Sequence, residues 1–149
     1  MSAPSPLIAF AHVSKSFDGG GGAPPVLAVC DISPHIAAGE FLAIGGASGS
    51  GKTTLLRLAN RLIAPDSGTI AIDGADIASR DPTALRRSIG TVFQSGGLFP
   101  HMSVAANIGI TPKLMGWPAA QIAARVDDLM ALVRLDPAAH RDRLPQQLS

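Results

Sequence analysis

Apolar and polar positions fall in short blocks through the first hundred residues and then give way to helical spacing. Leu7 to Phe17 and Val26 to Ile32 each predict a strand. Between them, Asp18-Gly19-Gly20-Gly21-Gly22-Ala23-Pro24-Pro25 predicts a loop, because four glycines and two prolines hold no repeating backbone. Ala38-Gly39-Glu40 predicts a turn feeding another strand, Phe41 to Ile44. Leu55, Leu58, Ala59 and Leu62 stand at i, i+3, i+4 and i+7, the inward face of a helix. Pro65-Asp66-Ser67-Gly68 then reads as a turn, and Thr69 to Ile72 as a short strand ended by the hairpin pair Asp73-Gly74. Asp81-Pro82 has the form of a helix cap followed by proline, opening a helix through Arg87. Ile89 to Phe93 predicts one more strand. After Gln94-Ser95-Gly96-Gly97 the spacing turns helical, and Pro118 opens a segment whose Ile122, Val126, Leu129, Met130 and Val133 share a face.

Between the strand Phe41–Ile44 and the helix beginning Leu55-Leu56 lies GASGSGKTT, residues 46 to 54. Gly46, Gly51, Lys52 and Thr53 satisfy G-x-x-x-x-G-K-[ST] in a strand–loop–helix context. Gly46, Gly49 and Gly51 allow backbone turns that bring N–H groups close to phosphate oxygens, with Ala47, Ser48 and Ser50 completing the cradle. The helix opening at Lys52-Thr53-Thr54 adds its positive end to the same spot. Lys52 is expected on the β- and γ-phosphates, and the Thr53 hydroxyl on Mg²⁺. The pattern points to a nucleoside triphosphate site.

Composition narrows the choice. A chain of 149 residues suits one domain. A net charge of +1 and no basic cluster with interleaved aromatics give no case for nucleic acid. The lone Cys30 rules out an internal disulfide, fits a reducing compartment and reads as a small buried strand residue. Mean hydropathy is +0.28, yet no apolar run approaches the ~18 residues that span a bilayer. The opening MSAPSPLIAF lacks the basic region of a secretory signal. Membrane association is therefore expected through a protein partner. The order of elements predicts an α/β fold: a P-loop core, an attached β layer and a later helical subdomain.

A GTPase needs N-K-x-D, which is absent; the only D-x-x-G, Asp18 to Gly21, lies upstream of the loop. The arginine-rich lid of a small kinase is missing too. The sequence beyond the loop resembles instead the ATP-binding subunit of ABC transporters, and the likeness covers the whole chain. Phe17, in VSKSF, stands where that family places an aromatic against adenine. Gln94, in TVFQSGGLFPHMSV, stands at the family's Q-loop, and the closing LPQQLS resembles the approach to its LSGGQ signature. NRLIAPDSGTIAIDG, LRRSIGTVFQSGGLFPHMSVAANI and PKLMGWP are similar to importers of quaternary-amine osmoprotectants such as glycine betaine, choline, carnitine and proline betaine.

The resemblance implies an ABC-type ATP-binding domain, incomplete over residues 1–149. Residues 1–100 would supply the β layer and P-loop core, and 101–149 the start of the helical subdomain. It implies ATP and Mg²⁺ as ligands, transmembrane permease subunits, a second copy of the ATP-binding subunit, and a periplasmic or extracellular substrate-binding protein. The place would be peripheral, on the cytoplasmic face of the cell membrane. Phe17 could stack on adenine or be a core residue at a strand end; the family more often has tyrosine there. Gln94 could hold Mg²⁺ and orient water, as a catalytic residue, or be an ordinary polar residue. His101, among Leu98, Phe99 and Met102, reads as structural. Trp117 reads as core or partner surface, and Asp127-Asp128 as a solvated face.

Hydrolysis also needs an aspartate ending a second apolar strand and a carboxylate to position water. Thr69 to Asp73 lies too near the loop and ends in a hairpin turn. Leu132 to Asp136 is broken by Arg134, and neither run is followed by Glu. The family's switch histidine is missing as well. In the family, strands from later sequence lie between the P-loop strand and the Q-loop strand. The expectation is therefore that Phe41–Ile44 and Ile89–Phe93 lack neighbours, that the piece folds poorly alone, and that it does not hydrolyse ATP by itself.

Overall fold

A computed structural model describes residues 6–92 and 96–148, which form two compact units, 1–89 and 90–149. The first is built on β1 (Ile8–Phe17), β2 (Val26–Ile32), the two-residue β3 (His35–Ile36), β4 (Ser67–Ile72) and β5 (Ala75–Asp76). All pairings are antiparallel, in the order β2-β1-β4-β5, with β3 also beside β1. Asp73 and Gly74 join β4 to β5 with φ of +53° and +73°. That is the sign a tight hairpin turn needs at both positions, as the Asp-Gly pair predicts.

Strict alternation along β1 is broken at His12, whose φ is +51°. Ala11 pairs Thr69 and Ser14 pairs Ser67, so β1 carries one extra residue there. The bulge turns both Phe10 and Val13 inward, three positions apart, where a flat strand would turn them to opposite faces. Gly68 faces this bulge, and a β-carbon on it would stand 2.3 Å from the His12 carbonyl oxygen. A second bulge sits opposite, at Asp31 in β2 (φ +47°), between the pairs Val13–Ile32 and Lys15–Val29. The amides freed by the two bulges find hydroxyls: His12 N–H donates to Ser33 Oγ and Asp31 N–H to Ser14 Oγ, both at 2.9 Å.

One face of the sheet buries Phe10, Val13, Val29, Ile70 and Ile72 against Leu58, Ile77 and Leu85. Leu58 comes from α1 (Lys52–Ala59) and Leu85 from α2 (Pro82–Ser88). Each such side chain contributes about 1.5–3 kcal/mol. Asp81 caps α2 through the Ala84 N–H at 2.6 Å, with Pro82 at the first helical position.

Three expectations are corrected. Leu62 is exposed, because α1 ends at Ala59 and Arg61 takes φ +52°. Phe41–Ile44 forms no strand, and Phe41 is 91% exposed. Ile89–Val92 forms none either, and Val92 is fully exposed; Phe93 lies outside the described residues. The physical reason is common to both segments: among the described residues no neighbouring backbone pairs with them, and a strand exists only by pairing.

The second unit contains α3 (Val104–Leu114), α4 (Ala119–Leu132), α5 (Pro137–His140) and a 3₁₀ turn at Pro145–Gln147. Its core is Val104, Val126 and Met130, with Ile108, Ile122 and Leu148 packed on it. Gly109 lets α3 approach α4, since a β-carbon there would stand 3.1 Å from Ile122 Cγ2. Val133 is exposed, against expectation, because α4 ends at Leu132 and the chain turns at Arg134 (φ +61°).

Candidate functional site

The segment before α1 closes on itself. Ser50 N–H donates to the Ala47 carbonyl at 3.3 Å, and α1 starts at Lys52 with Gly51 as its cap residue. Gly51 has φ +88°, and a β-carbon there would stand 2.2 Å from the Ala28 carbonyl oxygen of β2. Gly46 is constrained less sharply: at φ +149° its β-carbon would lie 2.5 Å from Ser50 Oγ, a side-chain atom that can rotate away. The loop is therefore seated on β2 at Gly51, where only hydrogen fits.

The Lys52 ammonium lies at the centre of this loop. It donates to the Gly46 carbonyl at 2.8 Å, the Ala47 carbonyl at 2.6 Å and Ser50 Oγ at 3.3 Å. The first backbone N–H groups of α1, on Lys52, Thr53 and Thr54, have no acceptor within the helix. No acidic residue occupies the first turn. Unused amides, the positive helix end and one ammonium thus converge, and this donor set fits a polyphosphate. Thr53 offers one hydroxyl oxygen beside it. That suits Mg²⁺, which takes most of its ligands from phosphate and water. Ser48 and Gly49 form the exposed crest of the loop.

An open depression of about 200 Å³ adjoins the loop, apolar on its β2 wall at Ala28, Val29 and Ile32 and polar at Ser50 and Lys52. Among the described residues, no carboxylate lines it. Cys30 does line it, and its side chain is exposed, which corrects the expectation of a buried cysteine. The β2 bulge next to it, at Asp31, turns both residues outward.

Phe17 ends β1 and is 41% exposed, outside the core cluster. The strand end that carries it is braced by Asp66, a residue whose sequence setting shows only a turn. Asp66 accepts from Lys15 Nζ at 2.6 Å and from both the backbone N–H and the hydroxyl of Ser16 at 2.7 Å. The Lys15 bond first, then the two Ser16 donors, lower the Asp66 pKa from 3.8 to about 2. Lys15 Nζ also stands 5.8 Å from the Phe17 ring centre. Lys15 and Asp66 are 51 residues apart, and no local pattern announces the pair.

Gln94, expected on Mg²⁺ and water, lies outside the described residues. His101 is exposed, with its ring edge-on to Phe99 at 6.1 Å. Trp117 is partly exposed at the turn after α3. Asp128 is exposed, as a solvated face requires, but Asp127 pairs with Arg141 at 2.6 Å. The aspartates that end the two apolar runs serve local structure. Asp73 sits in the hairpin turn, and Asp136 caps α5 through the Ala138 N–H at 3.0 Å. Among the described residues, no group of three His, Cys, Asp or Glu could hold a metal.

Comparison with known proteins agrees with this geometry. The ABC transporter family model matches residues 29–149. The choline transport ATP-binding protein of Bacillus subtilis is 44% identical over 143 residues, covering 96% of this chain and 36% of the relative. The glycine betaine uptake system ATP-binding protein of Escherichia coli is 46% identical over 143 residues, covering 96% and 44%. The methionine import ATP-binding protein of Burkholderia mallei is 43% identical over 149 residues, covering 98% and 37%. A solved dimeric bacterial ABC transporter cassette superposes with a TM-score of 0.83 at 27% identity, covering 96% of this chain and 63% of that one. The chain thus spans between about a third and somewhat under half of the length of these curated relatives. The family match over residues 29–149, with these identities across nearly the whole chain, places it in the ABC transporter ATP-binding family.

Proposed function

We propose that this chain binds Mg·ATP at residues 46–54 as part of the energising subunit of an importer for quaternary-amine osmoprotectants. The observation that carries the ATP-binding half is the Lys52 ammonium, fixed among three loop oxygens where α1 presents its free amides. Phosphate oxygens compete for that ammonium and for the amides. Phe17 stacks on the base, and Thr53 and Gln94 contribute oxygens to Mg²⁺. The solute class rests on the choline and glycine betaine relatives. Permease subunits, a substrate-binding protein and a second copy complete the system at the cytoplasmic face of the membrane. No helix among the described residues is long and apolar enough to cross a bilayer.

A second reading is favoured by the depression at the loop, which no carboxylate of the described residues lines. On that reading the chain binds ATP and does not cut it, since cutting needs a carboxylate to position water. Titration with ATP and Mg²⁺ tests the shared part: saturable binding, weakened at least about a hundredfold by Lys52→Ala, is expected. Equal binding by both proteins would end the proposal. Phosphate release then separates the two readings. Uptake of radiolabelled glycine betaine by cells expressing the full system, lost with Lys52→Ala, tests the solute class.

A further inference from the structure

Asn107 lies in the first turn of α3, yet it does not cap the helix; Ser103 does, through the Ala106 N–H at 3.2 Å. Asparagine is a weak helix former, so its place there needs another cause. The cause is visible in its carboxamide. Oδ1 accepts from the Phe99 N–H at 2.7 Å, and Nδ2 donates to the carbonyls of Phe99 (3.1 Å), Met102 (3.0 Å) and Ser103 (3.0 Å). One side chain thus holds both backbone groups of Phe99 and the far end of the turn. Leu98 and Phe99 are presented outward on that turn.

The same helix start is gripped from the other side. Val104 N–H donates to the Arg143 carbonyl at 2.8 Å, and Ala105 N–H to the Arg141 carbonyl at 3.0 Å. Arg141 is in turn pinned to Asp127 of α4, and Leu148 packs on the cluster around Val104. Two segments far apart in sequence, Phe99–Ser103 and Arg141–Leu148, are therefore joined through one helical turn. The first lies just after the Gln94 segment, and the second leads into the stretch resembling the LSGGQ approach.

We infer that Asn107 is a positioning residue for partner-coupled ATP turnover, fixing the Phe99–Ser103 turn to the helix start that carries Arg141–Leu148, so that the two segments shift together. This rests on the function proposed for the chain. Without the carboxamide, Phe99 can move while Arg141–Leu148 stays behind. ATP binding at residues 46–54 does not depend on Asn107.

The test uses the full-length subunit assembled with its permease, as wild type, Asn107→Ala and Asn107→Asp. The aspartate keeps an acceptor for the Phe99 N–H but turns a second oxygen toward three carbonyls. Both variants should bind ATP within about twofold of wild type and keep the KM for ATP. Their permease-stimulated kcat should fall up to about tenfold, the scale of a lost hydrogen bond. Amide hydrogen exchange gives a readout without turnover: the amides of the Phe99–Ser103 turn should exchange about tenfold faster in both variants, while Val104 and Ala105, held by the Arg143 and Arg141 carbonyls, and Val126 to Met130 stay protected. Should the alanine variant fail to assemble, the aspartate variant and its exchange pattern decide. Unchanged kcat or unchanged exchange in the Phe99–Ser103 turn overturns the inference, as does a loss of ATP affinity that tracks the loss of kcat. A wild-type complex without ATP turnover removes the functional reading and this inference together. Turnover that the variants match removes the inference alone.

Discussion

A β-carbon on Gly51 would stand 2.2 Å from the carbonyl oxygen of Ala28, so the loop before α1 and β2 meet backbone to backbone. Gly49, two residues earlier, has a similar φ of +82° but no atom within 4 Å of such a carbon. The pair separates steric contact from backbone strain. Gly49→Ala carries only the left-handed strain, about 1–2 kcal/mol, and should retain the fold. Gly51→Ala adds a collision with main chain that no rotamer relieves. It should lower stability by more than about 2 kcal/mol and abolish measurable ATP binding. Urea midpoints and nucleotide titration of both variants check this. Equal effects would mean that the loop is not seated on β2 through Gly51.

Asp66 sets the acid limit of the β1 end. Its carboxyl is held at about 2 in the fold by Lys15 and the Ser16 donors, against ~3.9 in an unfolded chain. A depressed carboxyl stabilises fully above the unfolded value and loses that contribution as pH falls toward the folded one. The window is therefore about pH 4 down to about 2. The side chain is 42% exposed, so salt should shrink the effect. Asp66→Asn is expected to flatten the melting temperature between pH 4 and 2 relative to wild type, and to be less stable than wild type at pH 6. Parallel melting curves for the two proteins across that window would remove Asp66 from this role.

Residues alone reveal what local rules decide. Gly46 to Thr54 carry the phosphate-loop pattern, and Asp73-Gly74 specifies a hairpin and Asp81-Pro82 a helix start, because each is fixed by a few neighbouring residues. Phe41–Ile44 has strand composition but no partner among the described residues, and pairing is not a local property. Val13 joins the core only through the bulge at His12, and a period-two reading of β1 cannot show an inserted residue. The Lys15–Asp66 clamp and the reach of Asn107 back to Phe99 depend on chain paths that no spacing encodes. Phe17 and Gln94 are nominated only by resemblance. Composition does not distinguish an aromatic at a strand end from one that meets a base.

Two helices end on an arginine in the left-handed conformation, where glycine is the usual choice. After α1, Arg61 N–H donates to Leu58 and Leu62 N–H to Arg57; after α4, Arg134 N–H donates to Ala131 and Leu135 N–H to Met130. Both are Schellman closures. They differ in the side chain, since the Arg61 guanidinium donates to the Arg80 carbonyl, whereas no hydrogen bond is formed by the Arg134 side chain among the described residues. Arg134→Gly should therefore raise stability by about 0.5–1 kcal/mol. Arg61→Gly should gain less or lose, because the bond to Arg80 goes with the strain. Thermal melts of the two variants, compared with wild type at one pH, decide it. A gain at Arg61 that exceeds the gain at Arg134 would contradict the assignment of that bond as stabilising.

Phe17 offers the sharpest separation of a binding role from a packing one. A ring 41% exposed at the end of β1 contributes little to the core, so Phe17→Ala should shift stability by about 0.5 kcal/mol or less. Stacking on a base is worth about 1–3 kcal/mol, so the same variant should weaken ATP roughly 5- to 150-fold. Phe17→Tyr keeps the face of the ring and should bind ATP as wild type does. Inorganic triphosphate, which has no base, should bind all three proteins alike. Titration of ATP and triphosphate against the set makes the attribution. A loss with Phe17→Ala that is as large for triphosphate as for ATP would assign Phe17 to holding the loop, and leave the adenine without an aromatic partner from this strand.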